Sequence, residues 1–98
     1  MNITTQKNNG SLTVSIEGRL DTATSPELDA ELKAQFPEIT ELIIDMEKLE
    51  YLSSAGLRVL LSAQKIMNKQ GSMTVKNVNE TIMEIFEITG FSDILTIE

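Results

Sequence analysis

Ser53 and Ser54 are the residues of this chain on which chemistry could turn. They stand side by side in Leu52-Ser53-Ser54-Ala55-Gly56-Leu57, after a short apolar run (Leu42-Ile43-Ile44, ending on Asp45) and before a long apolar-faced segment. A strand, a connection and a helix fit this pattern, with the serines at the helix start. Unpaired backbone N–H groups and a partial positive charge gather at such a place. In the plainer use, one serine caps the helix, its neighbour is solvated, and Ala55-Gly56 is a close-packed first turn. In the sharper use, a hydroxyl there accepts phosphate from a protein kinase. Small neighbours give the kinase room, and the phosphoryl group adds about −1.5 to −2 charges. A helix N-terminus tolerates that charge, whereas a docking surface with carboxylates or apolar groups does not. Phosphorylation would then switch binding without unfolding the domain. Local pattern favours the cap and leaves both uses open.

A second candidate is Asp21, a lone acid in the loop Arg19–Thr24. It could contact a ligand at a binding edge, or it could hydrogen-bond neighbouring backbone as loop aspartates do, and position alone favours the latter. A small enzyme built on Asp21, Asp45 or lysines finds little support. The chain has no histidine and no cysteine. Ser-His catalysis, thiolate nucleophiles, disulfides and histidine- or cysteine-based metal sites are therefore excluded. There is no paired-carboxylate motif, no phosphate-cradling glycine loop, and no acidic pair after the first strand of the kind a phospho-aspartate receiver needs. A non-enzymatic protein with no cofactor and no metal is expected.

The net charge of −7, with the eight basic residues scattered singly, argues against nucleic acid and against an anionic membrane surface. The apolar runs are too short to span a bilayer, and the start, Met1-Asn2-Ile3-Thr4-Thr5, has no signal-peptide pattern, so the cytoplasm is expected. Ninety-eight residues with 41% apolar content suit one folded domain over 1–98.

The elements that must position these residues follow from periodicity. Residues 3–8 and 11–17 predict an antiparallel hairpin around Asn9-Gly10, with Leu12, Val14 and Ile16 on its buried face and Gly18 ending the second strand. Ser25-Pro26-Glu27 predicts a helix start with Ser25 as cap. Leu28, Leu32 and Phe36 supply its apolar face, and Pro37 stops it. Glu41–Asp45 predicts a central parallel strand covered on both faces. Asp45–Leu52 is expected to be a linker that buries Met46, Leu49 and Leu52. The long helix from Ser53 or Ser54 uses Leu57, Leu60, Leu61, Gln64 and Met67 or Asn68, and Gly71 stops it. Ser72–Lys76 is a further strand. Asn79 caps a third helix, which Gly90 stops. Phe91, Ile94 and Leu95 pack the tail, and Ile94–Ile97 forms an edge strand. The result is α/β, with a mixed four- to five-stranded sheet, an N-terminal hairpin and three main helices. Its candidate edge is the C-terminal ends of the parallel strands, where the Ser53–Gly56 and Asn77–Asn79 loops and the loop around Asp21 emerge.

The stretch Tyr51-Leu52-Ser53-Ser54-Ala55-Gly56-Leu57-Arg58-Val59-Leu60-Leu61 resembles the signature of the STAS domain, in the branch of bacterial anti-sigma factor antagonists (anti-anti-sigma factors). Glu17-Gly18-Arg19-Leu20-Asp21 looks like the family's early G-x-L-D motif, and Thr89-Gly90-Phe91 its late T-G-hydrophobic motif. The resemblance covers nearly the whole chain and implies a STAS-like (SpoIIAA-like) single domain. It implies binding to an anti-sigma factor that is itself a serine kinase, with release of a sigma factor. It also implies inactivation by phosphorylation, reversal by a serine phosphatase, and a monomer when free. Register on Gly56 places Ser54 at the phosphorylated position, with Ser53 as alternative acceptor. Asp21, Ser53, Ser54, Ala55, Gly56 and Arg58 become the partner-binding set. Ser53 stands where the best-known members have aspartate, and Ala55 replaces a common serine or threonine. A STAS subunit of a transport or signalling complex, with a purely structural serine, is the alternative.

Overall fold

A computed structural model describes residues 1–98. Strand β1 (Asn2–Asn8) turns at Asn9-Gly10 into β2 (Ser11–Leu20), and α1 (Ser25–Gln35) runs into a 3-10 turn at Phe36–Glu38. Then follow β3 (Glu41–Asp45), β4 (Leu49–Leu52), α2 (Ser54–Gln70), β5 (Ser72–Lys76), α3 (Glu80–Thr89) and a second 3-10 turn at Phe91–Asp93. The sheet order is β1-β2-β3-β5, and β4 pairs with β2. β1 and β2 are antiparallel, and every other strand pairing is parallel. The expected hairpin, mixed sheet and three helices are all present.

Register explains which residues enter the core. Leu12, Leu42 and Met73 lie level across β2, β3 and β5, as do Val14, Ile44 and Val75. All six are buried, and the helices supply Leu28, Leu32, Leu57, Leu60, Ala63, Met67, Ile82 and Phe86 to the same cluster. At the end of α2's apolar stripe it is Met67 that is buried, while Asn68 faces solvent. The other face of the sheet holds Thr13, Ile43 and Thr74 level with one another and stays half exposed. The consecutive apolar residues of β3 therefore do not mean cover on both faces, as expected above. Ile43 sits among threonines on the open side.

Two corrections bear on the site. Gly18 does not end β2. It takes φ +101°, and the register shifts between Gly18 and Arg19. Up to Ser15 the strand pairs with β3, and from Gly18 to Leu20 it pairs with β4. A glycine at positive φ is how a strand makes such a bulge without steric cost. The second correction is β4 itself, which replaces the expected linker. Leu49 and Leu52 are buried with Met46, as expected, but Glu50 and Tyr51 between them are exposed.

At the ends of elements, Asn79 caps α3 by accepting from the Ile82 N–H at 2.9 Å, and Gly90 closes it in the left-handed region at φ +81°. Ser25 is no cap. It is the first residue of α1, buried, and its hydroxyl donates to the Asp21 carbonyl at 2.5 Å. The tail makes one parallel bridge, Val75 to Ile97, instead of a strand, and Ile94 faces solvent while Leu95 is buried. Val75 N–H donates to Thr96 O and Glu98 N–H to Val75 O, so the tail covers part of the free edge of β5.

Candidate functional site

The site begins with the pairing of two strand ends. Leu20 and Leu52 are partners in the β2–β4 register, and the Ser53 N–H donates to the Leu20 carbonyl at 2.9 Å. Asp21 and Ser53 therefore leave the sheet side by side. Gly56 holds the first turn of α2 down on this junction. A Cβ there would lie 2.7 Å from Leu52 Cδ1 and 2.8 Å from Leu20 Cγ, closer than van der Waals contact allows. The bulge at Gly18, the strand β4 and the close approach at Gly56 together bring Asp21 and the two serines to one edge.

The two serines are not equivalent. Ser53 is the N-cap residue in extended conformation, φ −96° and ψ 175°, but its side chain makes no capping bond. Its Oγ is buried without a hydrogen-bond partner. Ser54 is the first residue of α2 and is exposed. The first intrahelical bond runs from Leu57 N–H to Ser53 O at 3.0 Å, so the N–H groups of Ser54, Ala55 and Gly56 lie ahead of the ladder. They face the side of the helix end that favours an anion. Because the Ser53 hydroxyl caps nothing, Ser53→Ala is expected to be neutral or slightly stabilising, within about 0.5 kcal/mol, in contrast to the loss of ~1 kcal/mol for a true cap. Urea denaturation of the two proteins checks this.

Asp21 serves its own loop first. One carboxylate oxygen accepts from the Ala23 N–H at 3.0 Å and the Thr24 N–H at 3.1 Å, and the other lies 3.7 Å from Arg19 Nε. The Asp21 carbonyl accepts from the Ser25 N–H at 2.8 Å as well as from its hydroxyl. The backbone bond from Thr24 is the main cause holding the Asp21 carboxyl below the usual aspartate value; the Thr24 hydroxyl, the Ala23 N–H and Arg19 add to it against partial desolvation. A depressed pKa means stabilisation that is full above the unfolded aspartate value and lost as pH falls through the folded one. The 21–25 loop is therefore expected to keep its amide protection down to a pH below the normal aspartate range, near 3.8, and to open below that. NMR titration of the Asp21 carboxyl and the Thr24 amide checks it.

Arg19 and Tyr51 were not among the expected site residues. They are opposite each other in the β2–β4 register, and the Arg19 guanidinium stacks over the Tyr51 ring, 4.1 Å from its centroid. Both are exposed, and they add a cation and an aromatic ring next to Asp21. What joins them is the β2–β4 pairing of Arg19 with Tyr51, which no local pattern in residues 45–52 announces. On the other side, Ala55, Arg58 and Val59 of α2 face Thr22, Ser25, Pro26 and Asp29 across an open cleft between the two helix starts.

The third edge loop is spent on structure. Asn77, at φ +60°, donates to an Asp45 carboxylate oxygen at 3.0 Å, and Asn79 donates to the Leu49 carbonyl at 3.1 Å while capping α3. It braces the start of β4, whereas the serines follow its end. No group of acids capable of holding a metal ion is present.

The model of the STAS domain family matches residues 2–98. The chain is 35% identical to BtrV of Bordetella bronchiseptica, over 99% of its own length and 85% of that protein. It is 31% identical to the anti-sigma-B factor antagonist of Bacillus subtilis, over 99% of its length and 90% of that protein. Among solved structures, unphosphorylated SpoIIAA, an anti-sigma factor antagonist, superposes with a TM-score of 0.86 at 16% identity, covering 99% of this chain and 88% of that one. The chain belongs to the STAS domain family, in its anti-sigma factor antagonist branch.

Proposed function

We propose that the protein antagonises an anti-sigma factor by binding it through the edge formed by Asp21, Ser53, Ser54, Ala55, Gly56 and Arg58, so that a sigma factor is released. The relatives are named as antagonists of another protein and not as catalysts, and this chain is a regulatory protein of the same kind. The partner is an anti-sigma factor with serine kinase activity, Ser54 is its phosphate acceptor, and a serine phosphatase reverses the modification.

One observation carries the choice of acceptor. Ser54 is exposed at the first position of α2, while the neighbouring hydroxyl of Ser53 is buried. A kinase can reach the former without disturbing the sheet junction, and the latter only by opening it. The charge argument points the same way, since a phosphoryl group on Ser54 projects toward whatever docks there and sits at the anion-favouring end of its own helix. No helix is long and apolar enough to cross a membrane. The site of action is the cytoplasm, where sigma factors act.

The test is calorimetric titration of the unmodified protein into a candidate anti-sigma factor already loaded with its sigma factor, with sigma release followed by size exclusion. Displacement of the sigma factor is expected. A chain that binds no anti-sigma factor encoded in its genome overturns the reading.

A further inference from the structure

We propose that Arg58 is the internal counter-ion of a phosphoryl group on Ser54, drawn onto it when the serine is modified. The inference rests on Ser54 being the acceptor and assigns what the modification does to the surface around it. Ser54 opens α2 and Arg58 follows four residues later, so the two side chains lie one turn apart on the same face. Both are exposed. Arg58 has no carboxylate partner, because the ion pairs of the molecule are Lys7–Glu38, Arg19–Asp21, Lys33–Asp29 and Lys76–Glu98. The acid across the cleft, Asp29, is held 2.8 Å from Lys33 on its own helix. Arg19, the other arginine near this edge, is engaged by both Asp21 and the Tyr51 ring.

An unpaired guanidinium at this spacing is suited to a charge-assisted, bidentate pair with phosphate oxygens. The N–H groups of Ser54, Ala55 and Gly56 offer donors from the other side. The consequence reaches beyond an added charge. In the unmodified protein, Arg58 is free to meet a partner. Once Ser54 is phosphorylated, the partner meets an anion and also loses a cation, so one modification changes two charges of the same surface.

The experiment installs phosphoserine at position 54 during translation, so that no kinase is required and a wrong kinase assignment cannot mimic failure of the pairing. The second ionisation of the phosphate is followed by phosphorus-31 NMR. The charged groups bearing on it are Arg58, Arg19 and Asp21 at the end of β2, Asp29 of α1 and Glu50 of β4. A nearby cation favours the dianion, so Arg58→Gln is expected to raise the phosphate pKa by ~0.3 pH unit or more, with Arg58→Lys in between. Arg58 is exposed, and near-UV circular dichroism verifies that the variants keep the fold. A smaller shift on Arg58→Gln, or a larger one on Arg19→Gln, overturns the assignment to Arg58.

Discussion

Ser54→Asp will lower affinity for the anti-sigma factor by about 100-fold or more, some 2.7 kcal/mol, while the protein melts within a few degrees of the parent. The two halves of this result have separate causes. In the proposed binding mode docking removes water from position 54, and a carboxylate there must be desolvated while it also draws Arg58 away from the partner, a cost on the order of 2–5 kcal/mol. Within the free protein, Ser54 is exposed at the first residue of α2, ahead of the first intrahelical bond. A negative charge there is stabilising by about 0.3–1 kcal/mol through the helix dipole. Titration calorimetry and a thermal melt on the same sample measure both. A large fall in melting temperature would make Ser54 structural, and unchanged affinity would remove it from the interface.

Gly56→Val will do the opposite, damaging the fold and the site together. Gly56 is buried at the first turn of α2, where even one added carbon would come within 2.7 Å of Leu52 and 2.8 Å of Leu20. Leu20 is pinned in the β2–β4 register and Leu52 is its partner, so neither can retreat without parting the strand ends that hold Asp21 and Ser53 together. Overpacking at such a point costs about 3 kcal/mol. In a chain of this size that corresponds to a fall of ~12 °C or more in melting temperature. The loss of binding would then exceed the loss of folded protein, because α2 must lift for the valine to fit. A melt unchanged by the valine would show that the helix start does not rest on these leucines.

Which parts of the molecule were legible follows from how strongly each segment repeats. The alternation of Leu12, Val14 and Ile16 and the helical spacing of Leu57, Leu60 and Met67 each point to one face, and each face is buried. β4 escaped because four residues in the pattern buried-exposed-exposed-buried show neither strand nor helix periodicity. Its partner is fixed by the bulge at Gly18, and a lone glycine after a strand reads equally well as a stop. The expected cover on both faces of β3 failed for a related reason: three consecutive apolar residues do not say what lies beyond Ile43.

The site was legible as a region and not as an arrangement. The Ser-Ser-Ala-Gly run, with the early Gly-x-Leu-Asp motif, pointed to residues that the structure brings together at one edge. Local pattern could not tell the two hydroxyls apart, and only the family register on Gly56 put Ser54 ahead of Ser53, because burial at this point depends on where the helix starts to within one residue. Asp21 shows the same limit. Its type suggested either a loop brace or a binding contact, and its geometry makes it a brace for the turn with one oxygen left toward Arg19. The stack of Arg19 on Tyr51 depends on long-range pairing and left no local trace.

The most direct test is to incubate the protein with the anti-sigma factor kinase proposed as its partner and ATP and to map the phosphate by tandem mass spectrometry, alongside Ser53→Ala and Ser54→Ala. One phosphate on Ser54 is expected in the parent and in Ser53→Ala, and none in Ser54→Ala. Phosphate on Ser53, or phosphorylation that survives Ser54→Ala, would contradict the account.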